Sequence, residues 1–95
     1  MKMEDRNKRL ERAKERYCES MGKLGSAQEA YRCFMAAQRA KYGIRADDQF
    51  GYILWTAAAA PYEIQTECEL REAHDVALRE AKRRKLLVRR IENTL

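Results

Sequence analysis

The final third of the chain contains nothing that interrupts a helix. Pro61 is the only proline among the 95 residues, and neither proline nor glycine follows it. Proline suits the first turn of a helix, whereas the residue before a proline is kept out of the α region. We therefore expect one helix to end at about Ala60 and another to run over residues 62–93. The alternative is a single longer helix kinked at Pro61.

This last helix has an apolar stripe that needs a partner. Seven residues recur at helical spacing along one side, and the alanines among them allow another helix to approach closely. We expect the first helix of the chain to be that partner, in an antiparallel pair. The stripe consists of Leu70, Ala73, Ala77, Ala81, Val88, Ile91 and Leu95.

Two helices are predicted near the start of the chain, over residues 3–22 and 26–42. Gly22 and Gly25 favour a stop between them, and Ser26 with Glu29 has the spacing of a capping box that opens the second. Gly43 is expected to end the second helix as the left-handed residue after its last turn. The apolar stripe of the first helix repeats every seven residues, at Met3, Leu10, Tyr17 and Leu24.

A further helix is predicted over residues 48–60, capped by Asp47 or Asp48. It is apolar all round, although 37% of the residues in the whole chain are charged. A helix of this kind is either central to a core or half covered by a partner. One of its faces carries Tyr52, Trp55 and Ala59, and the other carries Phe50, Ile53, Leu54 and Ala57.

These patterns predict an all-α fold. We expect a single helical domain over residues 1–95, built as a small bundle or hairpin of three to four helices with a long amphipathic C-terminal helix. Four glycines and one proline are too few for a β-rich chain with many turns. The mean hydropathy is −0.78, and no apolar run approaches the length of about 18 residues that predicts a membrane-spanning helix.

The end of the chain is strongly basic. The formal net charge is +5, and residues 76–95 hold seven basic residues against two acidic ones. Such a surplus predicts, as an alternative function, contacts with nucleic-acid phosphates. A solvated face is the other interpretation, because no aromatic residue is interleaved there to stack on bases. The predicted nucleic-acid face comprises Arg79, Lys82, Arg83, Lys85, Arg89 and Arg90.

No sequence pattern indicates catalysis or a cofactor. There is no glycine-rich phosphate loop and no nucleophile elbow, so we expect no enzyme activity, no cofactor and no metal. Three widely spaced cysteines, Cys18, Cys33 and Cys68, predict reduced thiols, buried or half-buried, in a cytoplasmic protein. Cys68 and His74 are six residues apart and would point to different sides of a helix, which argues against a shared zinc ion.

The most favoured function is therefore protein docking. We expect a small adaptor, inhibitor or accessory protein that binds a larger protein complex through an apolar aromatic surface. A phage or mobile element is the origin that we expect for a compact basic protein of this size. Two alternatives are nucleic-acid binding and self-association, as a homodimer paired through the alanine stripe. The predicted docking anchor is Tyr52, Trp55, Ala59 and Tyr62, unless Trp55 belongs to the core.

Overall fold

The computed structural model describes residues 2–94 and contains three helices over that range. Helix α1 spans Lys2–Lys41, α2 spans Gly51–Ala58 and α3 spans Pro61–Asn93. No strand occurs in residues 2–94, so the all-α class and the long C-terminal helix are confirmed. Side chains are described from Asp5 onward, so the stripe positions predicted for Met3 and Leu95 lie outside the described residues.

The predicted break near residue 24 is wrong, because α1 is one helix of 40 residues. Gly22 and Gly25 are both helical, and Ser26 lies inside the helix instead of capping a new one. A glycine inside a helix costs about 1 kcal/mol relative to alanine, which is not enough to end a helix held by tertiary contacts. Leu24, between the two glycines, is buried and supplies such a contact.

The end of α1 follows the prediction for Gly43. Gly43 has a φ of 68°, the left-handed conformation that favours glycine. The Ile44 amide donates to the Arg39 carbonyl at 2.8 Å, and the Gly43 amide donates to the Ala40 carbonyl at 3.3 Å. These two bonds form a Schellman motif, which satisfies carbonyls that the end of a helix would otherwise leave unpaired.

The second helix begins later and ends earlier than residues 48–60. The Asp48 carboxylate accepts a hydrogen bond from the Phe50 amide at 2.8 Å, which holds a turn before the helix. No side chain caps α2 itself. At the other end Ala59 is extended, with φ −68° and ψ 146°, and Pro61 opens α3. Pro61 therefore separates two helices and stands at the first position of the second.

The chain divides into two compact units. The first, here called the paired-helix unit, joins Met1–Ser26 to Asp75–Leu95; the second, the α2 unit, spans Ala27–His74. Helices α1 and α3 each contribute residues to both units, and α2 belongs to the second alone. The expectation of a single domain over residues 1–95 stays a prediction.

The paired-helix unit is an antiparallel pair with a narrow core. Early α1 residues share grooves with late α3 residues: Arg9 lies beside Ile91, whereas Arg16 lies beside Arg84. Leu24, Ala81 and Val88 are buried here. The predicted pairing of the first and last helices is thus present, and part of the alanine stripe is covered within the chain itself.

Candidate functional site

Trp55 is the centre of the α2 unit. Its side chain has 0% exposure, and its Nε1–H donates to the Gln38 side-chain oxygen at 2.9 Å. Phe34 meets the indole edge-on with ring centroids 6.3 Å apart, and Tyr52 meets it at 5.9 Å. The sequence left open whether Trp55 is core or interface. In this chain it is core, because a side chain with no accessible surface makes no contact with a partner.

Two carboxylates are buried beside this core, and the first is Glu63. It accepts hydrogen bonds from the Tyr42 hydroxyl, from the Ala60 amide at 3.0 Å and from the Lys41 ammonium at 3.0 Å. These donors lower the pKa of Glu63 to about 2, the Tyr42 bond contributing most, against the opposing effect of burial. Glu63 therefore caps the start of α3 and ties it to the end of α1.

The second buried carboxylate is Glu67, one turn further along α3. Its Oε1 accepts from the Tyr52 hydroxyl at 2.7 Å and lies 3.7 Å from the Arg71 guanidinium. Among the described residues no group donates to its Oε2, although that atom is buried. The Glu67 bond raises the pKa of the Tyr52 hydroxyl and fixes the tyrosine against the indole of Trp55.

The loop before α2 is held by Arg39 of α1. Its guanidinium donates to the carbonyls of Arg45 and Ala46, both at 3.0 Å, so that one side chain secures two loop residues. The same guanidinium lies against Gly51, the first residue of α2 and one of its two buried residues. The Arg39 side chain therefore fixes the position of the start of α2.

The outer face of α2 is apolar and exposed. Phe50 is 58% exposed, Ile53 65% and Leu54 48%. Phe50 is the N-cap residue directly before α2, and with exposed Ala57 the three occupy positions i, i+3, i+4 and i+7 of the sequence. No charged residue occurs between Gly51 and Ala58. We call these four residues, Phe50, Ile53, Leu54 and Ala57, the α2 apolar surface.

The predicted anchor lies mostly on the other side of α2. Trp55 is buried, Ala59 is half-buried and Tyr52 is partly exposed with its hydroxyl engaged by Glu67. Tyr62 alone is widely exposed, at 68%, at the start of α3. Trp55 is therefore not an exposed contact residue, whereas a docking role for Tyr52, Ala59 and Tyr62 stays a prediction.

The predicted nucleic-acid face on α3 is exposed, and one member also lines a groove. Arg83 is paired with Glu80 at 2.9 Å, and Arg90 lies with Arg6 and Arg9 of α1 in a groove of about 300 Å³. The six predicted cations are all exposed. Sequence reasoning considered the cations of α3 alone and missed those that α1 places beside them.

A second groove in the same unit is lined by arginine. Its volume is about 260 Å³, and its lining combines Arg9, Arg12 and Arg16 of α1 with Arg84 of α3. The apolar part of the lining is Ala13, Leu87 and Ile91. Arg9 and Ile91 line both grooves, so the two adjoin. We call these two adjoining grooves together the arginine groove. The cations that line it are Arg6, Arg9, Arg12, Arg16, Arg84 and Arg90.

The cysteines and the histidine do not form a site. Cys18 and Cys33 are exposed and Cys68 is half-buried, so the predicted burial was wrong for the first two. His74 is half-buried beside Tyr31 and Arg71. Among the side chains that the structure describes, from Asp5 onward, no three of His, Cys, Asp or Glu are grouped as metal ligands would be. In residues 2–94 no helix has the length and apolar character needed to cross a membrane.

Comparison with known proteins gives no match. Neither a protein-family model, nor a curated protein, nor a solved structure is significantly similar to this chain. A fold by itself does not fix a function. The two features of the described residues whose chemistry bears on function are the α2 apolar surface and the arginine groove.

Proposed function

We propose that the protein is a small non-enzymatic adaptor, inhibitor or accessory protein that docks onto a larger protein through the α2 apolar surface. The observation that carries this proposal is the exposure of Phe50, Ile53 and Leu54 on a helix whose opposite side is buried. Large apolar side chains grouped on one exposed face are a mark of an interaction surface. Folding of the α2 unit alone does not account for them.

The spacing of these residues suits one mode of recognition. Anchors at i, i+3, i+4 and i+7 are those of a helix that lies in an apolar groove of its partner. The partner expected here is a protein with such a groove. Tyr62, exposed at the start of α3, adds an aromatic side chain of the type enriched in interfaces.

The buried side of α2 supports docking by making the surface rigid. Trp55 is fixed by Gln38, Tyr52 by Glu67, and the start of the helix by Arg39. A surface already held in its binding conformation loses less conformational entropy on association. Trp55 thus keeps a part in the proposed function, as the support of the docking helix and not as its contact residue.

The test compares two double variants. Ile53→Gln with Leu54→Gln removes apolar area from the α2 apolar surface, whereas Val76→Gln with Leu86→Gln removes similar area from α3, where both residues are also exposed. Tagged wild-type protein and both variants are incubated in lysate of the source cell, and stoichiometric partners are identified. Circular dichroism and melting temperature check that each variant is folded.

The expected result is one partner retained by the wild type and by the α3 variant and lost by the α2 variant, with all three equally helical. Equal retention by both variants would contradict docking through α2. A wild-type protein that sediments as a homodimer, and as a monomer only after the α2 change, would replace the proposal with self-association through this surface.

A further inference from the structure

Charge is divided unequally between the two units. The segments of the paired-helix unit contain 15 Lys and Arg against 8 Asp and Glu, whereas those of the α2 unit contain 5 against 7. The net charge of the chain therefore comes wholly from the paired-helix unit. This distribution is independent of the apolar surface proposed for docking, since that surface belongs to the α2 unit.

Within the paired-helix unit, four arginines of α1 form a line. Arg6, Arg9, Arg12 and Arg16 are spaced by three or four residues, which places them on one side of the helix. They extend over about 15 Å at 1.5 Å per residue. Arg84 and Arg90 of α3 line the same grooves.

Three arginines of this line form no ion pair with the described side chains. Among the described side chains, no carboxylate lies within ion-pair distance of Arg9, Arg12 or Arg16. By contrast, Glu80 pairs with both Arg83 and Arg84 of α3. No acidic residue lines the two grooves that form the arginine groove. These guanidinium groups are therefore available to an anion from outside.

The residues that line the arginine groove indicate which kind of anion binds there. Guanidinium groups bind phosphate through two parallel hydrogen bonds, a geometry that lysine does not offer, and every cation lining these two grooves is arginine. Leu87 and Ile91 add apolar area to the lining of the groove, against which the aliphatic parts of the arginine side chains can pack. No aromatic residue lines it, so base stacking, the usual device of single-strand binding, is missing from these two grooves.

We propose that the arginine groove binds the phosphate backbone of duplex nucleic acid without sequence preference. A duplex presents closely and regularly spaced negative charges, which match a linear row of cations. The contacts come from Arg6, Arg9, Arg12 and Arg16 of α1 with Arg90 of α3. This differs from the face predicted on α3 alone, because most of the cations are contributed by α1.

The test measures the salt dependence of duplex binding. A fluorescently labelled DNA duplex of arbitrary sequence is titrated with the full-length protein, and anisotropy gives the affinity at several salt concentrations between about 50 and 200 mM. In the variant Arg9→Gln with Arg12→Gln and Arg16→Gln, we expect weaker binding and a slope of log affinity against log salt that is shallower by about 3. Glutamine has a helix propensity close to that of arginine, so the helix is retained.

The matched control removes the same charge from the face predicted on α3. Arg79→Gln with Lys82→Gln and Lys85→Gln also loses three exposed cations of the paired-helix unit. We expect its salt slope to change by much less than that of the α1 variant. If both variants lost the same affinity and salt slope, the duplex would be attracted by the overall positive charge, and the proposal that it binds in the arginine groove would be wrong. Absence of duplex binding at the lowest salt would also overturn it, as would tighter binding of polyglutamate, which would indicate an acidic protein partner.

Discussion

Gly51 lies directly against the guanidinium of Arg39. A Cβ added at position 51 would be 2.6 Å from the Arg39 Cζ, closer than real side chains approach. The guanidinium is held there by its hydrogen bonds to the carbonyls of Arg45 and Ala46. The side chain of α1 that fixes the loop thus also lies against the first residue of α2, and a Cβ at that residue would have to displace the Arg39 guanidinium.

The first prediction concerns this contact. Gly51→Ala should displace the Arg39 side chain and break its bonds to the loop, which lowers the free energy of unfolding by about 1–2 kcal/mol. Gly22→Ala is the control, because nothing lies within 4 Å of the added Cβ and the position is inside α1. That change should stabilise the chain by about 0.5–1 kcal/mol. Urea unfolding measures both, and a Gly51→Ala protein as stable as wild type would refute the contact.

The second prediction concerns Trp55. Trp55→Ala should destabilise the protein by about 3–5 kcal/mol, since it leaves a cavity and also leaves Gln38 without its donor. Ile53→Ala, on the exposed side of the same helix, should cost well under 1 kcal/mol. The melting temperatures of the Trp55→Ala and Ile53→Ala variants, compared with that of the wild type, measure both effects. If Trp55→Ala changed the stability only slightly, Trp55 would not be a core residue and could belong to a docking surface.

The sequence predicted helices well where termination depends on one residue. Gly43 ended α1 and Pro61 divided α2 from α3, because a left-handed glycine and a proline act on the backbone locally. Gly22 and Gly25 did not end the helix. Their helical cost is small beside the packing of Leu24, whose place in the seven-residue stripe was the available signal that the helix continues past Gly22.

The candidate surfaces were predicted less well, for a different reason. Helical spacing separates the Trp55 face of α2 from the Ile53 face, but which one is buried depends on Phe34, Gln38 and Glu67 of other helices. The arginine groove was missed because it needs the register between α1 and α3. The spacing of three and four residues between Arg9, Arg12 and Arg16, which places them on one side of a helix, was the available signal.

The third prediction is a pH dependence set by Glu63. Its pKa is lowered from an ordinary value of 4.5 to about 2 in the folded protein. A lowered folded-state pKa contributes stability that is complete above the unfolded value and is lost as the pH falls toward 2. Stability measured by urea unfolding should therefore decline between about pH 5 and pH 2, and Glu63→Gln should flatten that decline. The exposed Glu72→Gln variant is the control, and an acid limb unchanged by Glu63→Gln would contradict the assignment.

The fourth prediction tests the support beneath the docking helix. Tyr52→Phe removes the one hydrogen bond that the described residues make to the Glu67 carboxylate, and so leaves a buried carboxylate without a donor. We expect a loss of about 1–2 kcal/mol, whereas Tyr62→Phe, at an exposed tyrosine, should cost almost nothing. Combining Tyr52→Phe with Glu67→Gln should restore part of the loss, since a neutral amide is less costly to bury than a carboxylate that has lost its hydrogen-bond donor. Urea unfolding measures the free energy of unfolding of the single variants and of the double variant. If the two single losses simply added in the double variant, the Tyr52 hydroxyl and the Glu67 carboxylate would not be coupled. The hydrogen bond between α2 and α3 would then contribute nothing to the position of the docking helix.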